Sequence, residues 1–237
     1  MERAENALDY IAKRDLIRRI WRRDHTIWSP RSQDVSGGLG WLDAGSWMLR
    51  LVPSLVERAE EVRRDGFTHL VLLGIGGSSL GPKVLGDFFG SSVSDYPILT
   101  VLDSIIPNRV KSVTRSIDLS STLFVVSSKS GSTIETNVLY KHFRSVAQDT
   151  LGTDDVGHLF LAITDEGTEL ESISREHGFR DLFLNPPDVG GRYSVLTYFG
   201  MVPAVLMGMD VQLLLDRSAT MRNEIYNSLK TIYPNQI

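Results

Sequence analysis

Short, uniformly apolar runs alternate along this chain with longer segments of helical period. His69–Gly74, Pro97–Leu102, Thr122–Ser127, Leu159–Thr164 and Asp181–Leu184 have the length and the continuous apolar character of strands buried on both faces. Helical spacing fills the gaps, over Leu80–Phe89, Pro107–Ser116, Ser132–Ala147 and Thr168–His177. Strand and helix in alternation predict βαβ units with right-handed crossovers, and hence a parallel sheet with helices on both faces. The expected class is α/β, a three-layer α-β-α sandwich around a five-stranded parallel sheet. After Asn185-Pro186-Pro187 the pattern turns helical again, over Ser194–Met207 and Val211–Leu229, and Tyr233-Pro234-Asn235 should end the last helix.

The first 65 residues read as a helical segment placed before this sheet domain, which takes residues 66–237. Leu8, Ile11, Ala12, Leu16, Ile20 and Trp21 predict one helix over Ala7–Asp24, and the interleaved Arg14, Arg18, Arg19, Arg22 and Arg23 read as a solvated face in preference to a surface for an acidic partner. His25–Asp43 is irregular, broken at Pro30 and Gly37-Gly38. Ser46 is placed to cap a short helix that Pro53 ends or kinks. Ser54 and Glu57 have capping-box spacing for a helix reaching Asp65, with Gly66 as its stop.

Two of the strand ends carry chemistry. Ser127–Asn137 reads S-S-K-S-G-S-T-I-E-T-N, and the capping-box spacing of Ser132 and Glu135 predicts a helix start near Ser132. Ser128, Lys129, Ser130 and Gly131 then fall in the strand-to-helix turn. There free backbone N–H groups and the positive end of the helix dipole suit an anion, and a capped Ser-rich turn would show the same pattern. Gly74-Ile75-Gly76-Gly77-Ser78-Ser79-Leu80-Gly81-Pro82 is a second such turn, whose glycines let a ligand approach the backbone. Two turns at the carboxyl ends of parallel strands should share one crevice. A third segment, Asp188-Val189-Gly190-Gly191-Arg192-Tyr193-Ser194, should bring a permanently charged guanidinium inward at the same edge.

Composition narrows the classes. Hydrophobic residues make up 42% and charged residues 23%, ordinary for a globular protein, and the formal net charge of −4 argues against nucleic acid as a main partner. With no cysteine there is no disulfide or thiolate metal site. The five histidines lack ligand spacing, so no metal is assigned. No run is long enough to span a membrane, and the cytoplasm is the expected location. Gly74-x-Gly76 with Asp103 resembles part of a dinucleotide fingerprint, but Ser79 stands at the third glycine position. Gly77-Ser78-Ser79-Leu80-Gly81 matches a nucleophile elbow, with Ser79 as nucleophile and His158 or His177 as base. Neither reading uses the turn at Ser128; a shared phosphate site uses both.

GIGGSSLGP at Gly74–Pro82, SSKSGSTIETN at Ser127–Asn137 and DVGGRYSVLT at Asp188–Thr197 resemble, in order, three blocks of the phosphoglucose isomerase family. The N-terminal stretch with Trp28 and Leu39-Gly40-Trp41-Leu42-Asp43 is similar to the isomerase half of bifunctional transaldolase–isomerase proteins. The resemblance implies a flavodoxin-like sugar-isomerase (SIS) domain and interconversion of glucose 6-phosphate and fructose 6-phosphate through a cis-enediolate. It implies no cofactor, and a homodimer for the full-length form. On the matching positions, Gly77 and Ser78 would contact the sugar phosphate. Ser128, Lys129, Ser130 and Thr133 would hold the phosphate, and Arg192 would stabilise the enediolate. The family's base, a Glu, lies in a later block with no match between Arg192 and Ile237. The chain is therefore expected to be an N-terminal portion that carries the cradle without the base. The alternatives are a non-catalytic SIS module that senses sugar phosphate, and a hydrolase using Ser79.

Overall fold

The computed structural model describes residues 2–31, 38–90 and 95–232. Five strands, β1 (His69–Gly74), β2 (Ile98–Leu102), β3 (Thr122–Ser127), β4 (Phe160–Asp165) and β5 (Asp181–Asn185), form one all-parallel sheet in the order β2-β1-β3-β4-β5. The helices along the chain are α1 (Glu2–Lys13), α2 (Leu16–Trp21), α3 (Trp41–Leu49), α4 (Val52–Arg64), α5 (Gly77–Phe89), α6 (Pro107–Ser116), α7 (Ile134–Leu151), α8 (Glu169–Glu176), α9 (Tyr198–Leu206) and α10 (Val211–Ile232). The chain leaves β1 toward one edge and returns from β2 past it to β3. Right-handed crossovers therefore put α5 on one face, where it packs with α9 and α9 with α4, and put α6, α7 and α8 on the other. This is the expected sandwich. Its order places the topological switch point between β1 and β3, where open α/β sheets bind ligands.

The central strands read as apolar runs because both faces are covered. Leu70 to Leu73 and Leu123 to Val126 are fully buried. Between the sheet and the α7–α8 layer lies an aromatic cluster. Phe124 of β3 stacks at 5.1 Å on Phe160 of β4 and meets Phe143 of α7 at 4.9 Å. Tyr140 closes on Phe160 edge-on at 5.3 Å and on Phe179 at 5.2 Å.

Several predicted boundaries move, each for a local reason. The single helix over Ala7–Asp24 is two helices, because Asp15 adopts the left-handed conformation (φ 52°), which Asp tolerates better than most residues. α3 runs through Ser46, which caps nothing. Pro53 sits in the first turn of α4, where a missing N–H costs nothing, and Ser54 Oγ donates back to the Leu51 carbonyl (2.9 Å). α5 starts at Gly77, straight off Gly76 (φ 62°). Ser194–Met207 divides into a 3₁₀ helix, Gly191–Leu196, and α9, with Thr197 as the cap between them. α7 begins at Ile134, and no side chain caps it. The predicted Tyr233-Pro234-Asn235 stop and the Gly37 breaker lie outside the described residues.

The N-terminal helices are tied to the C-terminal one. α3 packs on α10, Arg222 Nε donates to the Leu42 carbonyl (2.9 Å), and the Arg222 and Arg23 guanidiniums both hold Asp43. Burial alone would raise Asp43, but these two cations more than reverse it and hold its carboxyl below the ordinary range. A carboxylate with a depressed folded pKa stabilises above its unfolded pKa, and that contribution is lost as pH falls through the folded one. We therefore expect Asp43→Asn to lower Tm at neutral pH. In a pH series of melting curves, the gap to wild type should close once the pH falls below the ordinary carboxylate range; a gap that widens in acid would contradict the pairing. For the aromatic cluster, Phe124→Ala should cost about 3–5 kcal/mol in urea unfolding with little change in m.

Candidate functional site

The site stands at the carboxyl edge of the sheet, on either side of the switch point. β1 and β3 end in register, Gly74 beside Ser127. The first turn leaves β1 through Gly76 and enters α5 at Gly77. Inside α5, Pro82 has no N–H to offer the carbonyl four residues back, so the Ser78 carbonyl is left without its helical donor. The buried Ser127 Oγ donates to that carbonyl at 3.2 Å. One hydrogen bond thus ties the glycine turn to the strand that carries the serine turn.

The second turn is built around Ser128. Its N–H donates to the Ile163 carbonyl (3.0 Å), its carbonyl accepts from Gly131 N (3.2 Å), and its hydroxyl lies 3.0 Å from Thr133 Oγ1. Gly131 reverses the chain at φ 66°, with its α-carbon facing Thr168 too closely for any side chain. Ser130 is exposed, and its Oγ accepts from the Ser132 hydroxyl (3.3 Å). The expected Ser132–Glu135 capping box is therefore absent. Ser132 has turned to Ser130, Thr133 holds the cap position, and Glu135 stands in the first turn of α7, partly buried, with no ion pair or hydrogen bond among the described residues. The first N–H groups of α7 keep no intrahelical acceptor, and its positive end faces this turn. Across the switch point Ser78 is nearly buried, at 9% exposed, and its hydroxyl has no partner among the described residues.

The third segment closes on the first. A β-carbon at Gly77 would lie 2.1 Å from the Gly191 carbonyl oxygen, so the two backbones touch. Farther back, the Asp188 carbonyl accepts from Gly40 N (2.7 Å), its carboxylate lies 3.5 Å from Arg23 Nη1, and Leu39 bridges Val189. Arg192 differs from its expected inward aim. It is exposed and carries no ion pair or hydrogen bond among the described residues, because the 3₁₀ turn directs it to solvent. Next to it, Tyr193 stacks on Trp41 at 5.8 Å.

Lys129, expected to help hold the phosphate, is engaged in this structure. Its ammonium pairs with Asp165 at the end of β4 and donates to the Pro187 carbonyl (3.3 Å). Asp165 is drawn there because its own N–H donates to the Lys129 carbonyl (3.3 Å). Burial pushes the Asp165 carboxyl up, and Lys129 pulls it back only in part. Asn185, 3% exposed, pairs in register with Asp165 at the end of β5. Sequence reasoning misses Asp165 because the predicted strand stops at Thr164; a carboxylate one residue beyond a strand, on the ligand edge, is the available signal.

Ser79 is 1% exposed and its hydroxyl donates to the Gly76 carbonyl (3.1 Å), so it is neither free nor presented as a nucleophile. His158 precedes β4, and His177 follows α8 and meets Tyr140 Oη at 2.6 Å. Both stand at the amino edge of the sheet, away from Ser79. Among the described residues, no three His, Cys, Asp or Glu side chains are grouped to hold a metal, and no helix is long and apolar enough to cross a membrane.

A family model described as phosphoglucose isomerase matches residues 60–230. A glucose-6-phosphate isomerase of Rubrobacter xylanophilus is 35% identical over 178 residues, which cover 72% of this chain and 41% of that protein. The corresponding protein of Carboxydothermus hydrogenoformans is 33% identical over 195 residues, 79% of this chain and 42% of that one. The crystal structure of a glucose-6-phosphate isomerase from Chlamydia trachomatis aligns at a TM-score of 0.60 with 31% identity, over 80% of this chain and 34% of that one. A hypothetical protein of Thermus thermophilus aligns at 0.73 with 29% identity, over 92% of this chain and 50% of that one. The chain thus spans about two fifths of the length of the curated relatives it matches.

The backbone contact at Gly77 yields a direct test. Gly77→Ala has to push two backbones apart and should cost about 1–3 kcal/mol, as overpacked sites do. At Gly190, φ is −63° and a β-carbon would meet only Tyr193, at 3.6 Å, so Gly190→Ala should stay within about 0.5 kcal/mol of wild type. Chemical denaturation of both variants checks the contrast; equal effects would mean that the first and third turns do not touch.

Proposed function

This chain belongs to the phosphoglucose isomerase family, and on that premise we propose that its switch-point crevice binds the phosphate of a hexose 6-phosphate and serves its aldose–ketose isomerisation. The observation that carries the reading is the junction of two strand-to-helix turns at β1 and β3, tied by Ser127 Oγ to the Ser78 carbonyl at 3.2 Å. Two helix N-termini, those of α5 and α7, open at this junction, and each favours negative charge. Ser128, Ser130 and Thr133 add hydroxyl donors on one side, and the unpartnered Ser78 hydroxyl and the Gly77 turn flank the other.

Arg192 fits the second half of the reaction. Removing a proton from the carbon next to a carbonyl leaves negative charge spread over two oxygens, and a planar guanidinium can meet both. Its exposure and lack of a partner leave it free to swing over a bound sugar, at the edge where its turn touches Gly77. The matched relatives are more than twice as long as the segment they share with this chain, which supports taking the proton-transfer base from elsewhere in the full enzyme. Binding and charge stabilisation are the roles assigned to the residues described above.

Calorimetric titration with fructose 6-phosphate tests the reading, with fructose as the control that lacks the phosphate. Wild type should bind the phosphate ester and not the free sugar. Ser128→Ala with Thr133→Ala should raise Kd about tenfold or more, the scale of losing hydrogen bonds to a charged group. Equal affinity for ester and sugar, or a double variant that binds like wild type, would remove the cradle.

A further inference from the structure

The proposed cradle accounts for the serines, the glycine turn and Arg192, but not for the Lys129–Asp165–Pro187 contact. It joins the ends of three strand units. Lys129 belongs to the turn after β3, Asp165 is the last residue of β4, and Pro187 follows β5 on the way to Arg192. An ammonium that pairs with a carboxylate and donates to a carbonyl is held as a strut rather than left as a diffuse surface charge. The pair is mostly out of water, with side-chain exposures of 29% for Lys129 and 16% for Asp165. Among the described residues it is the polar side-chain link between the serine turn and the segment that bears Arg192. The neighbouring Asn185 amide donates to the Pro186 carbonyl (3.3 Å), one residue short of the carbonyl that Lys129 holds.

We propose that Asp165 is a positioning residue: by holding the Lys129 ammonium against the Pro187 carbonyl, it fixes the Arg192 segment relative to the phosphate turn. Asp165 itself touches no substrate. This inference rests on the cradle reading for its effect on ligand, while its structural half can be measured with no ligand present. With Asp165 neutralised, Lys129 loses its charged partner and turns toward the cradle. The segment from Pro187 to Tyr193 is then held by Gly40, Arg23, the Leu39–Val189 bridge, the Trp41–Tyr193 stack and the Gly77 contact, without its tie to the serine turn. Phosphate binding should come to depend on Lys129, and its dependence on Arg192 should fall.

The experiment has two arms, using wild type, Asp165→Asn, Asp165→Glu and, in case Asp165→Asn fails to fold, Lys129→Met. Hydrogen exchange without ligand should show the amides of Gly40, Val189 and Tyr193 exchanging about tenfold faster in Asp165→Asn and in Lys129→Met, with β1 and β3 amides unchanged, a local opening rather than a global one. Asp165→Glu, which restores the carboxylate, should recover most of that protection. In the binding arm, Arg192→Ala should weaken fructose 6-phosphate binding in wild type and do so at least about threefold less in the Asp165→Asn background, a coupling that general destabilisation would not produce. Exchange that rises uniformly across the sheet, or unchanged protection at Val189 and Tyr193, would overturn the proposal. So would an undiminished effect of Arg192→Ala. If wild type binds no sugar phosphate while the local exchange effect holds, the cradle reading fails and the strut stands.

Discussion

Two stretches of backbone meet where Gly77 faces the carbonyl of Gly191, and no side chain fits between them. Much of the site follows from that contact. It brings the turn after β1 against the segment after β5, although three strands separate their sequence positions. A parallel sheet covered on both faces leaves its carboxyl edge as the place where loops can gather, and the order β2-β1-β3-β4-β5 opens a gap there between β1 and β3. The Gly77–Gly191 contact and the Ser127–Ser78 hydrogen bond draw the three turns together at that gap.

Charge is used sparingly at this edge. The helix ends and hydroxyls are neutral groups whose dipoles are fixed by the fold, and for the anion proposed above they would need no reorganisation. The two cations divide their tasks. Lys129 is committed to Asp165 and a carbonyl, whereas Arg192 stands uncommitted in solvent. A site with both cations loose would attract any anion. With one committed and one exposed, the proposed discrimination would rest on the shape that the committed one maintains.

The sequence carries the architecture well, because continuous apolar runs have few other uses in a chain of this composition. β1 and β3 fall where the runs predict, and the remaining strands shift by a residue. The serine and glycine turns are legible too, since a strand followed by Gly or Ser and then a helix constrains local geometry strongly. What fails is everything set by a partner that local pattern does not name. The Ser132–Glu135 spacing looks like a capping box, yet Ser132 chooses Ser130, and Ser128 takes Thr133. The pairing of Lys129 is also hidden, because nothing local hints at Asp165, 36 positions away. Arg192 is expected to point inward because glycines precede it, but glycines permit a direction without choosing one. The helix over Ala7–Asp24 keeps its period across Asp15, and periodicity does not register a single left-handed residue.

The clasp between Arg222 and α3 spans 180 positions in the chain. During synthesis, α2 and α3 are made long before α10, and their apolar sides, with Trp21 destined for Tyr226 and Gly45 for Ser218, have no native surface to cover them in the interval. At the usual pace of translation, about 5–20 residues per second, that interval lasts on the order of ten seconds or more. The helices that later brace the Asp188 turn thus wait uncovered during synthesis, and slow codons late in the message would lengthen their wait.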